Sequence, residues 1–465
     1  MKKVVLLVLL SMLAACGQGR DVSTPEIQSV TPNEGQVKSQ ITIEGENFID
    51  TYSQTYVRFN GEEANSNDFI SITNNQIQIL VPNVGTTGPL DIKVSDKTSP
   101  SVPFTVYGPW GYVVSGAGEV VAVDSYNNNV RATFDVGFAP DVIAVTPEGD
   151  KAYMINRSQP LLVVVDAPVN QVLTTIPLSA NPVDVALTVR AQHRGFISHG
   201  TSGNITVIDT LSDTVTGPLV CGPNPGEMAV DIANKESLRL MVALRGDNTV
   251  EAFAVESLLV DGISTPLSGT PEKIYMSPNA EDVVTLNTES QTASLLKAKQ
   301  AQLRANITTP GNPINGDFTI DSNFFYVVSE GTDTIISLNI INKDIQTRFE
   351  AGSEPYDVTV RPDGEFAYFS NRGDGTVTAV STSGSGTLTI NVGGEPRDIG
   401  SVLGPNTKNE LDKVLVLDAA NGVVTIIDAY LNTVLTSVPV GANPQFMEVE
   451  NLTTWPPDPD DIVQY

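Results

Sequence analysis

Apolar and polar residues alternate through most of this chain, and the alternation comes in short runs. Between residues 25 and 107 the runs are ITIEGENFI, TYVRFNGEE, IQILVPN, LDIKVSD and VPFTVYG, with apolar pairs at Ile41/Ile43, Val57/Phe59, Ile77/Ile79, Ile92/Val94 and Phe104/Val106. A period of two places successive side chains on opposite faces, so each run predicts a strand with one buried face. Such strands, separated by turns, predict a small immunoglobulin-like sandwich.

From Trp110 onward a longer period organises the alternation. A proline recurs in GFAP, SANP, GPNP, SGTP, PGNP, GSEP, GGEP and GANP, at Pro140, Pro182, Pro225, Pro271, Pro313, Pro355, Pro396 and Pro444. The intervals lie between 41 and 48 residues, the length of a four-stranded propeller blade. Every unit follows one plan. A short strand such as DVTV (357–360) follows the proline, then a turn such as PDGE (362–365), then a strand such as AYFSN. A third strand such as VTIID and a fourth such as VLTSVPV lead back to the next proline. Asp124, Asp166, Asp209 and Asp428 stand where third strands end, and a carboxylate there can bond the backbone of the turn.

Seven whole units run from Pro140 to about Val440. Residues 111–139 supply three strands without a first, and Pro444 with QFMEV supplies a first strand alone. Joined, the two pieces make one more blade, pair the chain ends and leave no open sheet edge. The count predicts eight blades, or seven if the loosest unit, about 271–312, is not one. The expected fold class is therefore all-β: a small Ig-like sandwich followed by a ring of four-stranded blades closed by N- and C-terminal strands.

Composition fits this picture. Charged residues make up 17% of the 465 and hydrophobic residues 40%, with 37 glycines and 30 prolines, which suits short strands joined by tight turns. The formal net charge of −28 repels phosphate backbones, so nucleic acid is not expected as a partner. The opening MKKVVLLVLLSMLAAC has a basic start, an apolar run too short to span a bilayer and a small-residue cleavage region, so residues 1–15 read as a signal peptide. Leu13-Ala14-Ala15-Cys16 resembles the bacterial lipobox. That resemblance implies lipid attachment at Cys16, a membrane anchor through the lipid, and a short tether over 16–24. With Gly17 in place of Asp, it also implies an exported protein held at the cell envelope, on the outer membrane. Cys221, in LVCGPNP, is then the one remaining cysteine and reads as a buried, inert thiol. The tail over 451–465, with WPPDPDD, reads as extended and exposed.

Two family resemblances follow from these phrases. SVTPNEG, ITIEGENF, VRFNG, the Asn-Asn-Gln-Ile-Gln-Ile-Leu-Val-Pro run and VPFTVY resemble the IPT/TIG family of Ig-like domains over 25–107. The resemblance implies a spacer or protein-binding unit. GSEPYDVTVRPDGEFAYFSN and VVTIIDAYLNTVLTSVPVGANP resemble the YVTN-type, YncE-like propeller repeat of exported bacterial proteins, over 108–450. Propellers of that type are described more often with seven blades.

Candidate chemistry is sparse. His193 and His199, in HRGFISH, read as solvated or structural, and no G-x-S-x-G, P-loop, H-E-x-x-H or C-x-x-C pattern occurs. The best constellation is the polar position two after the repeat proline, Asp184, Glu227, Asn315, Asp357 and Asp398, with Asp141 and Glu272 one residue earlier. First strands line the channel of a propeller, so these residues predict a ring of carboxylates at one mouth. Such a ring can hold a divalent cation or a cationic group of a partner, or it can only bond backbone N–H groups; the last is the favoured expectation. No catalytic residue, metal or cofactor is expected. The functional expectation is a lipid-anchored binding or scaffold protein whose propeller engages a protein or surface polymer. The alternatives are a lactonase-like propeller enzyme, with Arg397 beside Asp398 and Glu227 with Asp184 as its candidate groups, and a cation-binding propeller.

Overall fold

The structure, a computed structural model, describes residues 23–449 apart from 50–53, 83–84, 148, 189–191, 232–237, 385 and 403–411. The signal segment, Cys16, most of the tether and the acidic tail lie outside the described residues. Two compact units divide between Tyr107 and Gly108.

The first unit is an Ig-like pair of sheets. One has the order Glu26–Thr31, Gln40–Glu46, Gln76–Leu80, Phe69–Ile72; the other joins Glu34–Gln36, Val102–Tyr107, Gly88–Val94, Thr55–Phe59 and Glu62–Glu63. Alternation decides its interior: all ten residues of the pairs from Ile41/Ile43 to Phe104/Val106 are at most 2% exposed.

The second unit consists of eight four-stranded antiparallel sheets. Blade 1 covers 142–177, blade 2 184–220, blade 3 225–263, blade 4 273–308, blade 5 312–350, blade 6 355–391 and blade 7 396–439. The loosest unit of the sequence thus forms a complete blade 4. Blade 8 joins both ends of the unit. Phe446–Val449 is its innermost strand, pairing with Trp110–Val114, which is followed by Val120–Asp124 and Asn129–Phe134. Innermost strands pack against one another in chain order from blade 1 to blade 8.

Second and third strands such as Lys151–Ile155 and Leu161–Asp166 are almost wholly buried because a blade covers each of their faces, whereas the fourth strand Gln171–Pro177 buries only Ile176. This is why the middle strands read as continuous apolar runs and the outer ones do not.

The third-to-fourth turns are built as the aspartates predict. Asp209 Oδ1 accepts the N–H groups of Leu211 (3.0 Å) and Ser212 (2.8 Å), and Asp428 Oδ1 those of Tyr430 (2.9 Å) and Leu431 (2.8 Å). Each turn then passes through a left-handed residue, Asp213 (φ 52) or Asn432 (φ 55), immediately before the fourth strand. Asp428→Ala is expected to cost about 1 kcal/mol in urea unfolding, since both bonds go while the turn stays open to water.

Basic side chains also tie blades together on the side of these turns. Lys151 Nζ of blade 1 donates to Thr210 O and Asp213 Oδ2 of blade 2, both at 2.7 Å. Arg194 of blade 2 donates to Val255 O, Arg361 of blade 6 to Ala429 O (2.6 Å), and Lys413 of blade 7 to Ser125 O (2.5 Å) and Asn128 Oδ1 (2.8 Å) of blade 8. Burial pulls the Lys413 ammonium down to about 8.

Candidate functional site

The innermost strand of a blade is an edge strand, so one row of its backbone N–H groups lacks a partner within its own sheet. Side chains of the preceding blade supply acceptors. Asp184 Oδ2 of blade 2 accepts Met228 N–H of blade 3 (2.8 Å), Asp357 Oδ2 of blade 6 accepts Ile399 N–H of blade 7 (3.0 Å), and Asp398 Oδ2 of blade 7 accepts Met447 N–H of blade 8 (2.7 Å). The remaining clasps differ in chemistry. Glu227 Oε1 meets Lys273 Nζ at 2.8 Å between blades 3 and 4, and Tyr275 Oη accepts Gly316 N–H (3.2 Å) between blades 4 and 5. Between blades 5 and 6, Asn315 Nδ2 donates to Tyr356 O (3.1 Å) while Asp317 Oδ2 accepts Val360 N–H (2.7 Å). Six consecutive junctions are therefore clasped from innermost strand to innermost strand.

All five residues singled out in the sequence, Asp184, Glu227, Asn315, Asp357 and Asp398, stand on these strands. Three accept a backbone N–H from the next blade rather than from their own turn. Asn315 differs in role: it donates to a carbonyl, and the carboxylate of blade 5 is Asp317, two residues on. Asp141 accepts Arg157 N–H (2.7 Å), and Glu272 pairs with Arg245 (3.3 Å), so neither joins the ring. Arg397 pairs with Glu395 (2.9 Å) instead of Asp398.

Four channel groups escape the sequence reading: Lys273, Tyr275, Asp317 and Glu448. Lys273 is itself two residues after a repeat proline, so the same alignment that finds Asp357 contains it. Scanning that column for acids alone passes over it. Asp317 and Glu448 stand four after the proline, and in a strand the second and fourth positions share a face.

The carboxylates perturb one another. Burial, then Glu227, raises Asp184 to about 7; burial, then Asp357, raises Asp398 to about 7. Burial also raises Asp317 to about 7 and Asp357 to about 6. Glu448 has an exposed side chain, yet protein surrounds the channel on every side, and this burial together with Asp398 and Asp357 raises it to about 8. Burial would lower Lys273, but Glu227, Tyr275 and Asp184 outweigh it and hold the ammonium charged.

Lys273 also lines a pocket of about 620 Å³ at the channel mouth across blades 4 to 6. Its walls include Glu330, Glu354, Tyr356, Asn315 and Arg372, whose guanidinium lies 5.3 Å from the Tyr356 ring centre and pairs with Glu354 at 3.3 Å. Among the described residues no three His, Cys, Asp or Glu side chains are grouped to hold a metal ion.

The histidines and the cysteine take structural places. His199 is fully buried, with Nε2 2.8 Å from Thr206 Oγ1, and burial lowers its pKa. His193 does not share its strand; it precedes Arg194–His199 in a left-handed conformation (φ 48). Cys221 is half-buried rather than buried, and burial, then Glu251, pushes its thiol up to about 12.

Comparison with known proteins fits these two units. Residues 25–106 match the IPT/TIG domain. The IPT/TIG unit is therefore the Ig-like sandwich of the fold. No curated protein matches the chain. Solved structures similar to it are β-propeller proteins. The dihydro-heme d1 dehydrogenase NirN in complex with DHE aligns with a TM-score of 0.61 at 11% identity, over 74% of this chain and 76% of that chain. At that identity the likeness shows the fold alone. A functionally unknown protein from Desulfotomaculum acetoxidans DSM 771 aligns with a TM-score of 0.49 at 14% identity, over 62% and 96% of the two chains. Hydrazine synthase of Kuenenia stuttgartiensis aligns at 0.42 and 16%, over 58% and 88%.

Proposed function

We propose that this chain is a cell-envelope binding protein, lipid-anchored at Cys16, in which the IPT/TIG unit acts as spacer and the propeller docks a protein or surface polymer. The observation that supports this most directly is the fate of the channel carboxylates. They are engaged in clasping one blade to the next, which makes the ring a rigid platform and leaves the mouth pocket and loops to meet a partner. Repeat wording of the YVTN type and the lipobox-like Leu13-Ala14-Ala15-Cys16 support an exported protein.

Two measurements test the reading. Radiolabelled palmitate is expected to enter the wild-type chain and not Cys16→Ala, with the variant lost from the membrane fraction. Equal membrane retention without label removes the anchor. Cross-linking on intact cells followed by mass spectrometry is expected to recover one stoichiometric partner. A diffuse set of neighbours instead points to a packing component of the envelope.

A further inference from the structure

The mouth pocket is built by repetition. Blades 4, 5 and 6 each contribute the residue after the repeat proline, Glu272, Ile314 and Tyr356. Each also contributes the residue that closes its second strand, Thr288, Glu330 and Arg372. Equivalent positions thus recur across the pocket with different chemistry at each, and the cavity of about 620 Å³, within the range of small-ligand sites, extends over three adjoining blades. The wall departs from the rest of the ring as well. Two residues after the proline, blades 2, 3, 6 and 7 carry a carboxylate, and blades 1 and 8 carry the apolar Val142 and Phe446. Blades 4 and 5 carry Lys273 and Asn315 there, and both line the pocket.

The charges of the wall are matched in pairs. Glu272 meets Arg245 (3.3 Å), Lys273 meets Glu227 (2.8 Å) and Arg372 meets Glu354 (3.3 Å). Among the described residues, only the exposed Glu330 is a lining charge without an ion pair. The pairs still offer hydrogen bonds, because a guanidinium has more N–H donors than one carboxylate takes up and a carboxylate has lone pairs to spare. Donors therefore stand beside acceptors. A sugar hydroxyl both donates and accepts, so neighbouring hydroxyls on a sugar ring match that alternation. Asn315 Nδ2 and Thr288 Oγ1 are fixed by donating to Tyr356 O (3.1 Å) and Pro313 O (2.8 Å), which leaves an amide oxygen and a hydroxyl oxygen to accept. Ile314 and the Tyr356 ring add apolar surface for the C–H face of a sugar, and the Arg372 guanidinium, 5.3 Å from the ring centre, holds that ring in place.

We infer that the mouth pocket binds a neutral oligosaccharide laid across blades 4 to 6. The Arg372–Glu354 pair and Asn315 bond its hydroxyls, and Tyr356 stacks on one of its rings. This rests on the reading of the propeller as a binding platform and commits it to a surface polymer rather than a protein.

Isothermal titration of the purified full chain with cellohexaose, maltohexaose, xylohexaose and mannohexaose tests this, with hexagalacturonate as the charged counterpart. Saturable binding of at least one neutral hexasaccharide is the expected result. Its Kd is expected to change less than about twofold between about 50 mM and 500 mM sodium chloride, since the ligand has no charge to screen. The corresponding disaccharide, too short to cross three blades, is expected to bind roughly tenfold or more weakly. Binding of hexagalacturonate alone, equal binding of disaccharide and hexasaccharide, or no saturable binding overturns the proposal.

Tyr356→Ala is expected to weaken hexasaccharide binding roughly tenfold or more, and Arg372→Met about fivefold, with wild-type melting curves. Wild-type affinity in either variant overturns the site, and Arg372→Met carries the test alone if Tyr356→Ala does not fold. Tyr430→Ala, which removes an exposed tyrosine from a third-to-fourth turn of blade 7, is expected to change nothing. Failure here removes the ligand class alone, since a single protein partner recovered by cross-linking on cells would still support the platform.

Discussion

A chain ending at Gly441 is expected to melt about 10 °C or more below one ending at Val449. The residues lost, 442–449, carry the short strand Phe446–Val449, which completes blade 8 from the far end of the sequence. It pairs Met447 with Val113 and Glu448 with Tyr112. Met447 is 5% exposed and packs among Val113, Val402, Leu415 and Leu417, a burial worth about 2–5 kcal/mol by comparison with Met→Ala losses in cores. Its N–H also fills Asp398, so truncation strands a buried carboxylate without its donor. Val449 packs so closely on Gly400 that a Cβ on Gly400 would stand 2.5 Å from its Cγ2. Removing the strand also opens the edge of Trp110–Val114, an apolar run that is buried throughout, to pairing with other chains. Circular dichroism melts and light scattering of the two chains provide the check, and Met447→Ser is expected to give an intermediate loss. Equal melting temperatures would show that blade 8 holds without its innermost strand.

Stability is expected to rise as pH falls from about 8 to about 5, against the common trend of proteins that lose stability in acid. The sign comes from the channel. Asp184, Asp317 and Asp398 near 7 and Asp357 near 6 stand above the ordinary aspartate value of 3.8, so the folded state holds protons that the unfolded chain releases. A raised acid contributes stability that is fully present below its unfolded value and is lost as pH climbs through its folded value. The window is therefore pH 4 to 8, and Glu448, exposed to the channel, adds to its upper end. Below about pH 4 the trend reverses, because Asp209, Asp261 and Asp321 are held below the ordinary value. Their main stabilising causes are the Ser212 N–H for Asp209, Arg239 for Asp261 and the Thr319 hydroxyl for Asp321. Asp398→Asn is the discriminating variant: its amide oxygen still accepts Met447 N–H, but it cannot titrate. It is expected to melt higher than wild type at pH 8 and to show a flatter pH profile. A wild-type melting temperature that is level or rising between pH 5 and 8 would falsify this account of the channel.

Much of the fold is legible in the sequence because its causes are local. The two-residue period marks Ile41/Ile43 and its counterparts as one face of a sandwich, and all of them are buried. The recurring proline, the Pro/Gly turn and the aspartate at the end of the third strand each act within a few residues. Asp209 and Asp428 close their turns through bonds to residues two and three ahead. Even the partial units at the two ends of the repeat region announce their joining, since a ring cannot leave three strands and one strand unpaired.

The channel is another matter. Lys273 and Glu448 are far apart in the chain, and only the radial arrangement of blades 4 and 8 brings them around one axis. The second and the fourth residues after the proline both face the next blade: Asp357 reaches Ile399 and Asp317 reaches Val360, each one position further along the neighbouring strand. Local sequence does not record which backbone groups of the next blade come within reach, because that is set by how two packed sheets settle against each other. Burial, likewise, raises a carboxylate only once other blades enclose it. The sequence by itself determined strands, turns and the joining of the chain ends in one blade, and left the count at eight or seven until the structure showed blade 4 complete. Tertiary structure alone decided which polar side chains face one another in the channel and what charge they carry there, because electrostatic coupling acts through space and not along the chain.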